Sequence, residues 1–171
     1  MAEPLKDQFY LWSFYEKLGG ALESQIPNFS MEALLKEVKE QKIVERDLKT
    51  KMYDSARVMH QFLPLSFEDQ VAVVLNLGPE FRGLEGMFLP TWVELYGTHN
   101  LPHSVKALYQ LTQYSSSEFS IRPFIIQDQQ LVLKSLLKWT GDKNEHMRRL
   151  ASEGCRPRLP WAMALPELKK D

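Results

Sequence analysis

The residues best suited to chemistry lie together near the end of the chain, in Asn144-Glu145-His146-Met147-Arg148-Arg149-Leu150-Ala151-Ser152-Glu153-Gly154-Cys155-Arg156-Pro157-Arg158-Leu159-Pro160-Trp161. On a helix ending at Gly154, Arg149 and Glu153 fall at i and i+4 on one face, and Arg156 and Arg158 follow just past the end. The ordinary reading of that spacing is an ion pair, worth about 0.2–0.5 kcal/mol. A helix C-terminus favours cations, however, so Glu153 in the last turn works against the dipole and something else is expected to hold it. A second carboxylate, Glu118, opens the segment Glu118-Phe119-Ser120-Ile121-Arg122-Pro123. Ser115 to Glu118 has capping-box spacing, and a carboxylate suits a first helical turn. In stacked helical pairs Glu118 and Glu153 could also face one concave surface.

Other chemistries find little support. There is no glycine-rich phosphate loop and no Cys or His spacing suited to zinc, so neither a cofactor nor a metal is expected. His60, His99, His103 and His146 are scattered and read as structural or surface residues. Ser115 to Ser117 with His103 makes no recognisable nucleophile arrangement. Cys155 is the single cysteine, which excludes an internal disulfide, and it is expected to pack within its loop.

The elements that must position these side chains are helical nearly throughout, because apolar residues recur at three and four rather than at two. The first stripe is Phe9, Trp12, Phe14, Tyr15 and Leu18, read as core or as a cap on the first repeat. Ser30 is an expected N-cap for a helix carrying Leu34, Leu35 and Val38. A third helix is predicted from about Glu45 to Phe62, and a fourth starts at the capping-box-like Ser66-Phe67-Glu68-Asp69 and ends at Gly78-Pro79. Further helices are predicted over Met87 to Tyr96, Ser104 to about Tyr114, Glu118 to Ile126, Gln129 to Trp139 and Asn144 to Glu153. Ser115, Ser116, Asp128 and Asn144 stand where N-caps belong. Phe124-Ile125-Ile126 is the one strand-like run, too isolated to build a sheet.

Leu108 to Arg122 has an echo in Leu136 to Arg148: an aliphatic stripe ending in Thr112 or Thr140, a polar turn, and an apolar–Arg step, Ile121-Arg122 or Met147-Arg148. A solenoid of helical pairs is the architecture such an echo suggests, although its offset is shorter than the roughly 40 residues of HEAT units. The fold class expected is therefore all-α, a right-handed solenoid of antiparallel HEAT-like or ARM-like helical pairs.

Composition and charge are consistent with a folded domain. Of 171 residues, 44% are apolar and 25% charged, which is globular rather than disordered composition. No run approaches a membrane span and no leader precedes the first stripe, so an intracellular, cytoplasmic monomer is expected. The net charge of −1 would discourage a nucleic-acid reading, but it hides an asymmetry. Residues 1–133 carry 12 Lys+Arg against 17 Asp+Glu, a balance of −5, and residues 134–171 carry 9 against 5, a balance of +4. The candidate chemistry thus sits in the basic end of an otherwise acidic chain.

The stretch Tyr114-Ser115-Ser116-Ser117-Glu118-Phe119-Ser120-Ile121-Arg122-Pro123-Phe124, followed by Asn144 to Trp161, resembles the bacterial DNA alkylation repair glycosylases of the AlkC type, relatives of the AlkD type with HEAT-like repeats. The opening Met1-Ala2-Glu3-Pro4-Leu5-Lys6 and Leu95-Tyr96-Gly97 are in keeping with it, so the resemblance runs over essentially the whole chain. It implies a helical superhelix whose basic concave face holds duplex DNA and hydrolyses the N-glycosidic bond of cationic alkylated purines, chiefly N3-methyladenine. By motif, Glu118 and Glu153 match the family's active-site carboxylates, with Glu153 leading. Arg149 and Arg156 match its DNA-contacting arginines and Trp161 an aromatic of the site. Arg148 and Arg158 join them as expected DNA contacts in the same basic stretch, while Trp139 is assigned to packing.

No metal, nucleotide or flavin is needed for that chemistry, and the partner implied is duplex DNA carrying alkylated bases. In the family the Arg-Pro-Arg-Leu-Pro-Trp motif is followed by further repeats, whereas this sequence stops at Leu168-Lys169-Lys170-Asp171. Residues 1–171 are therefore expected to be one HEAT-like-repeat domain, incomplete at its C-terminal end. A module of the same fold that binds DNA or protein without cutting is the alternative.

Overall fold

The structure, a computed structural model, describes residues 4–64 and 66–169. Met1 to Glu3 of the opening segment and Lys170-Asp171 of the final one lie outside the described residues. The regular structure among those described is helical: α1 (Trp12–Glu23), α2 (Met31–Glu40), α3 (Leu48–His60), α4 (Phe67–Leu77), α5 (Phe88–Tyr96), α6 (Leu101–Thr112), α7 (Arg122–Gln127), α8 (Gln129–Trp139) and α9 (Glu145–Gly154). Short 3-10 turns occupy Leu5–Asp7, Ile43–Glu45, Glu85–Met87 and Pro166–Lys169. The strand-like Phe124-Ile125-Ile126 is part of α7.

Side-chain caps start many of these helices by accepting an otherwise unpaired backbone N–H. Ser30 caps α2 through Ala33 N at 3.1 Å, Asp128 caps α8 through Leu131 N at 3.0 Å, and Asn144 caps α9 through His146 N at 2.9 Å. Ser66 forms the expected reciprocal start of α4: its Oγ accepts from Asp69 N at 3.1 Å and donates to Asp69 Oδ2 at 2.6 Å. Asp47, which the spacing did not single out, caps α3 through Thr50 N at 3.0 Å, which is why α3 begins at Leu48 rather than near Glu45.

Three further boundaries differ from the periodicity, two of them through proline. A helix running from Glu118 would put Pro123 in its interior, where the ring clashes with the preceding turn; instead α7 starts at Arg122 and Pro123 sits in the first turn. Likewise α6 starts at Leu101 with Pro102 in its first turn, and Ser104 is an interior residue whose buried hydroxyl donates to Gly97 O at 2.7 Å. α1 starts at Trp12 rather than Phe9, after Tyr10 in the left-handed region at φ 55°. Of the first stripe Phe14, Tyr15 and Leu18 are buried, but Trp12 is exposed.

Helices pack in neighbouring pairs, most of them successive: α1 on α2, α5 on α6, α7 on α8 and α8 on α9, with α3 on α5 across α4 and α9 also touching α6. An all-α helical-repeat architecture follows, each element burying its apolar stripe against the next. At the N-terminal end Phe14 is the hub of an edge-to-face aromatic group, with centroids 4.8 Å from Tyr10, 5.5 Å from Phe81 and 5.2 Å from Phe88. Such pairs add about 0.5–1.5 kcal/mol each beyond their buried area. The echo between residues 108–122 and 136–148 is a helix–turn–helix in both copies, α6 to α7 and α8 to α9. Its paired arginines diverge: Arg122 is fully buried and Arg148 exposed.

Candidate active site

α9 presents the basic residues because its apolar positions fall at 147, 150, 151 and 154, a spacing of three, one and three that makes one helical face. Met147 and Leu150 are buried by that face, each worth about 1.5–3 kcal/mol. Arg148, Arg149 and Ser152 are thereby turned outward, with Glu153 half-buried at the edge. Gly154 lets α9 close on the start of α7: a Cβ there would come within 2.9 Å of Ile121 Cγ2. Glu153 is brought in this way beside the segment that carries Glu118.

That segment is a turn, and none of its serines caps a helix; Ser115 and Ser117 are bound into neighbouring elements. Ser115 Oγ donates to Gly83 O at 2.8 Å and Ser117 Oγ to Leu108 O at 3.0 Å. Ser116 Oγ accepts from Glu118 N at 3.3 Å, while α7 begins beyond them with no side-chain cap. Each such bond contributes about 0.5–1.5 kcal/mol net. Together they hold Glu118 in place at the wall of a cavity of about 250 Å3, lined also by Leu84, Met87, Gln113, Tyr114, His146 and Arg149.

The ion pairing differs from the helical spacing. Arg149 does not take Glu153 at i+4; its Nε lies 2.9 Å from Glu118 Oε1, across the interface between α9 and the turn. Glu153 pairs forward instead, with Arg156 NH1 at 2.6 Å from its Oε2. The tertiary partner wins for Arg149 because Glu118 is 9% exposed and costly to leave unpaired, whereas Glu153 can reach solvent. Burial pushes the Glu118 carboxyl above the usual carboxylate range; the Arg149 guanidinium pulls it back and the Glu153 charge pushes it up again. Glu118, Glu153, Arg149 and Arg156 thus form one electrostatic cluster, each carboxylate engaged by one arginine.

The remaining candidates are dispersed around it. Arg148 NH1 donates to Asp142 O at 2.8 Å and Lys143 O at 3.0 Å, tying it to the turn before α9. Arg158 is exposed and has no partner among the described residues. Trp161 is 57% exposed, in the left-handed region at φ 68°, with its carbonyl held by Lys49 Nζ at 2.7 Å. It lines a different cavity from Glu118, with Lys49, Tyr53, Glu94, Phe119 and Met163. Trp139 packs on Tyr109, centroids 5.0 Å apart, and Cys155 Sγ donates to Ala151 O at 3.2 Å, both packing roles.

Two residues escaped the sequence reading. His146 lines the Glu118 cavity; its signal was the spacing 146, 149 and 153, which puts it on the face of Arg149 and Glu153. Glu94 of α5 accepts from Tyr53 Oη at 2.8 Å and Ser120 Oγ at 3.1 Å, pinning the turn that carries Glu118, and burial raises its pKa. No motif marks it. Of the other histidines, His60 is structural, its Nδ1 accepting from Trp92 Nε1 at 3.2 Å, whereas His99 and His103 lie exposed at the surface. Among the described residues no group of three or more His, Cys, Asp or Glu could hold a metal, and no helix is long and apolar enough to cross a membrane.

Fold and site together define a helical-repeat protein that presents a carboxylate–arginine cluster beside an open cavity. Over 100% of its length the chain is similar to the alkylpurine DNA glycosylase AlkC of Pseudomonas fluorescens, solved bound to DNA containing an abasic-site analogue, with a TM-score of 0.91 and 32% identity. It is also 40% identical over 150 residues, 88% of its length, to the uncharacterized protein YhaZ of Bacillus subtilis. No protein-family model matches it. The chain thus shares an all-α helical-repeat fold with AlkC over its whole length. It spans 48% of the AlkC chain and 42% of YhaZ, less than half of each.

Proposed function

We propose that this chain carries the base-excision site of a DNA glycosylase that removes cationic alkylated purines, chiefly N3-methyladenine, from duplex DNA. The observation that supports it most is the cluster of Glu118, Glu153, Arg149 and Arg156 on a chain similar throughout to a DNA-bound alkylpurine glycosylase.

The substrate base already bears a positive charge, so its departure needs no general acid. The bond between C1′ of the sugar and the purine nitrogen breaks, and its electron pair stays with the base, which leaves neutral. The oxocarbenium-like sugar that remains is stabilised by negative charge and captured by water, whose proton passes to a carboxylate. Glu153, at the edge of α9 with an open side to solvent, takes the leading role of stabilising the sugar and orienting the water. Glu118 assists from the cavity wall, its negative charge maintained against burial by Arg149. Arg156 and Arg158 bind flanking phosphates and set the register without reading sequence, and Arg148 supports them from the same helix. Trp161, exposed and fixed in an uncommon backbone conformation, offers an aromatic face to a cationic base, worth about 0.5–2 kcal/mol.

The reading is tested by incubating the protein with N-methylated duplex DNA and separating the released bases by chromatography. Free N3-methyladenine supports it. Duplex binding without release, here and in a form extended to its relatives' length, would leave a silent DNA-binding module.

A further inference from the structure

Arg122 takes no part in the proposed chemistry, yet it is among the most deeply buried residues of the protein. Among the described residues its guanidinium meets no carboxylate. All its polar contacts are backbone carbonyls of the segment that follows Glu153: NH1 donates to Gly154 O at 3.0 Å, NH2 to Arg156 O at 2.8 Å and Nε to Met163 O at 2.5 Å. Burying a cation is costly, and apolar residues of similar volume commonly serve stability as well or better. Three carbonyls separated along one loop, by contrast, suit the planar guanidinium, whose donors are spread over three nitrogens, better than the single-point ammonium of a lysine.

The two ends of this contact matter. Arg122 opens α7 directly after the turn that carries Glu118, and the carbonyls it holds flank Glu153, Arg156 and Trp161. We propose that Arg122 is the positioning residue of the site, clamping the loop after α9 to the Glu118 turn so that the two carboxylates and Arg156 keep one geometry. The inference rests on the glycosylase reading, which names neither Arg122 nor any role for it.

Cys155 is a built-in reporter, since it lies between two of the clamped carbonyls and is the only thiol in the chain. Two variants are compared with the wild type: Arg122→Lys, which keeps the cation but loses the fork, and Arg122→Met, which keeps the length and loses the charge. The measurements are the reaction rate of Cys155 with an aromatic disulfide, the far-ultraviolet circular dichroism, the single-turnover rate of base release and the duplex Kd. With helical signal retained, Cys155 is expected to react about ten-fold faster in the Met variant as the loop opens locally. Base release under saturating protein is expected to fall about 100-fold, the scale of an ångström-sized misplacement, well beyond the weakening of duplex Kd that loosening the loop of Arg156 and Arg158 brings. The Lys variant, which reaches fewer carbonyls, should fall between wild type and Met in both rates.

Unchanged thiol rates in both folded variants would overturn the clamp. So would faster thiol reaction with undiminished base release, or unfolding of both variants, either of which reduces Arg122 to a structural residue. If the wild type itself releases no base, the glycosylase reading fails separately, and the clamp is still decided by the thiol rates.

Discussion

The pair between Arg149 and Glu118 makes stability depend on pH in a way that replacing Arg149 exposes. In the Arg149→Met variant the largely buried Glu118 carboxylate loses its cation, since Arg149 Nε at 2.9 Å is the partner that offsets its burial. Removing one partner of a fully buried pair costs about 3–5 kcal/mol, and an exposed pair is worth about 0–1 kcal/mol. With Glu118 9% exposed but Arg149 67% exposed, solvent screening places the cost between these, at the low end. About 1–2 kcal/mol is expected at pH 8, a fall in Tm of roughly 3–6 °C for a domain of this size.

The sign follows from the direction of the Glu118 shift. Its carboxyl is raised above the ordinary value of 4.5, so the folded state binds the proton more tightly than the unfolded chain does. Stability linked to that proton is fully present below the ordinary value and is lost as pH rises through the raised one. Losing Arg149 raises the carboxyl further and deepens this loss, so the variant should be markedly less stable than wild type at pH 8 and close to it near pH 4. Thermal unfolding followed by circular dichroism at both pH values and low salt reads the difference. An equal Tm loss at the two pH values, or none at either, would show that Arg149 does not support the Glu118 charge. Glu118→Gln should abolish the pH-dependent part.

Other perturbations probe the interface and its scaffold. Arg158→Ala removes a side chain that has no partner among the described residues, so Tm should hold while duplex binding weakens and the salt slope falls by about 1. Arg156→Ala should weaken binding similarly, and it also frees Glu153 from its 2.6 Å partner, so base release should change beyond what the loss of affinity explains. Asn144→Ala deletes the cap of α9 and should cost about 1 kcal/mol, seen as a Tm fall of roughly 2–4 °C. Glu94→Gln removes a buried carboxylate of raised pKa and should flatten the pH dependence of Tm while leaving duplex affinity unchanged, checked by melting and by binding titration.

The helices could be read from the sequence because local rules govern them: three-and-four periodicity, and caps such as Ser30, Ser66, Asp128 and Asn144 that bond residues two or three positions on. The same local rules failed where a longer-range partner competed. Ser115 and Ser116 have cap chemistry, yet Ser115 is bound to Gly83 and Ser116 turns back on Glu118, and Pro123 moves the helix start past them. Arg149 and Glu153 have ion-pair spacing, but a buried carboxylate on another element outbids an exposed one on the same helix. The cluster of Glu118, Glu153, Arg149 and Arg156 was legible through family resemblance, since nothing local to either motif brings residue 118 to residue 149. Glu94 and the clamp of Arg122 were not legible at all: a carboxylate accepting two hydroxyls and an arginine spanning three carbonyls exist only once the helices have packed.

The most direct measurement is single-turnover release of N3-methyladenine from a defined duplex by the wild type, by Glu153→Gln and by Glu118→Gln, with duplex Kd measured alongside. The wild type should release base, Glu153→Gln should fall by about 100-fold or more as removal of a key electrostatic group does, and Glu118→Gln by less, with Kd preserved in both. Base release by Glu153→Gln at the wild-type rate would mean that the carboxylate–arginine cluster is not where the glycosidic bond is broken.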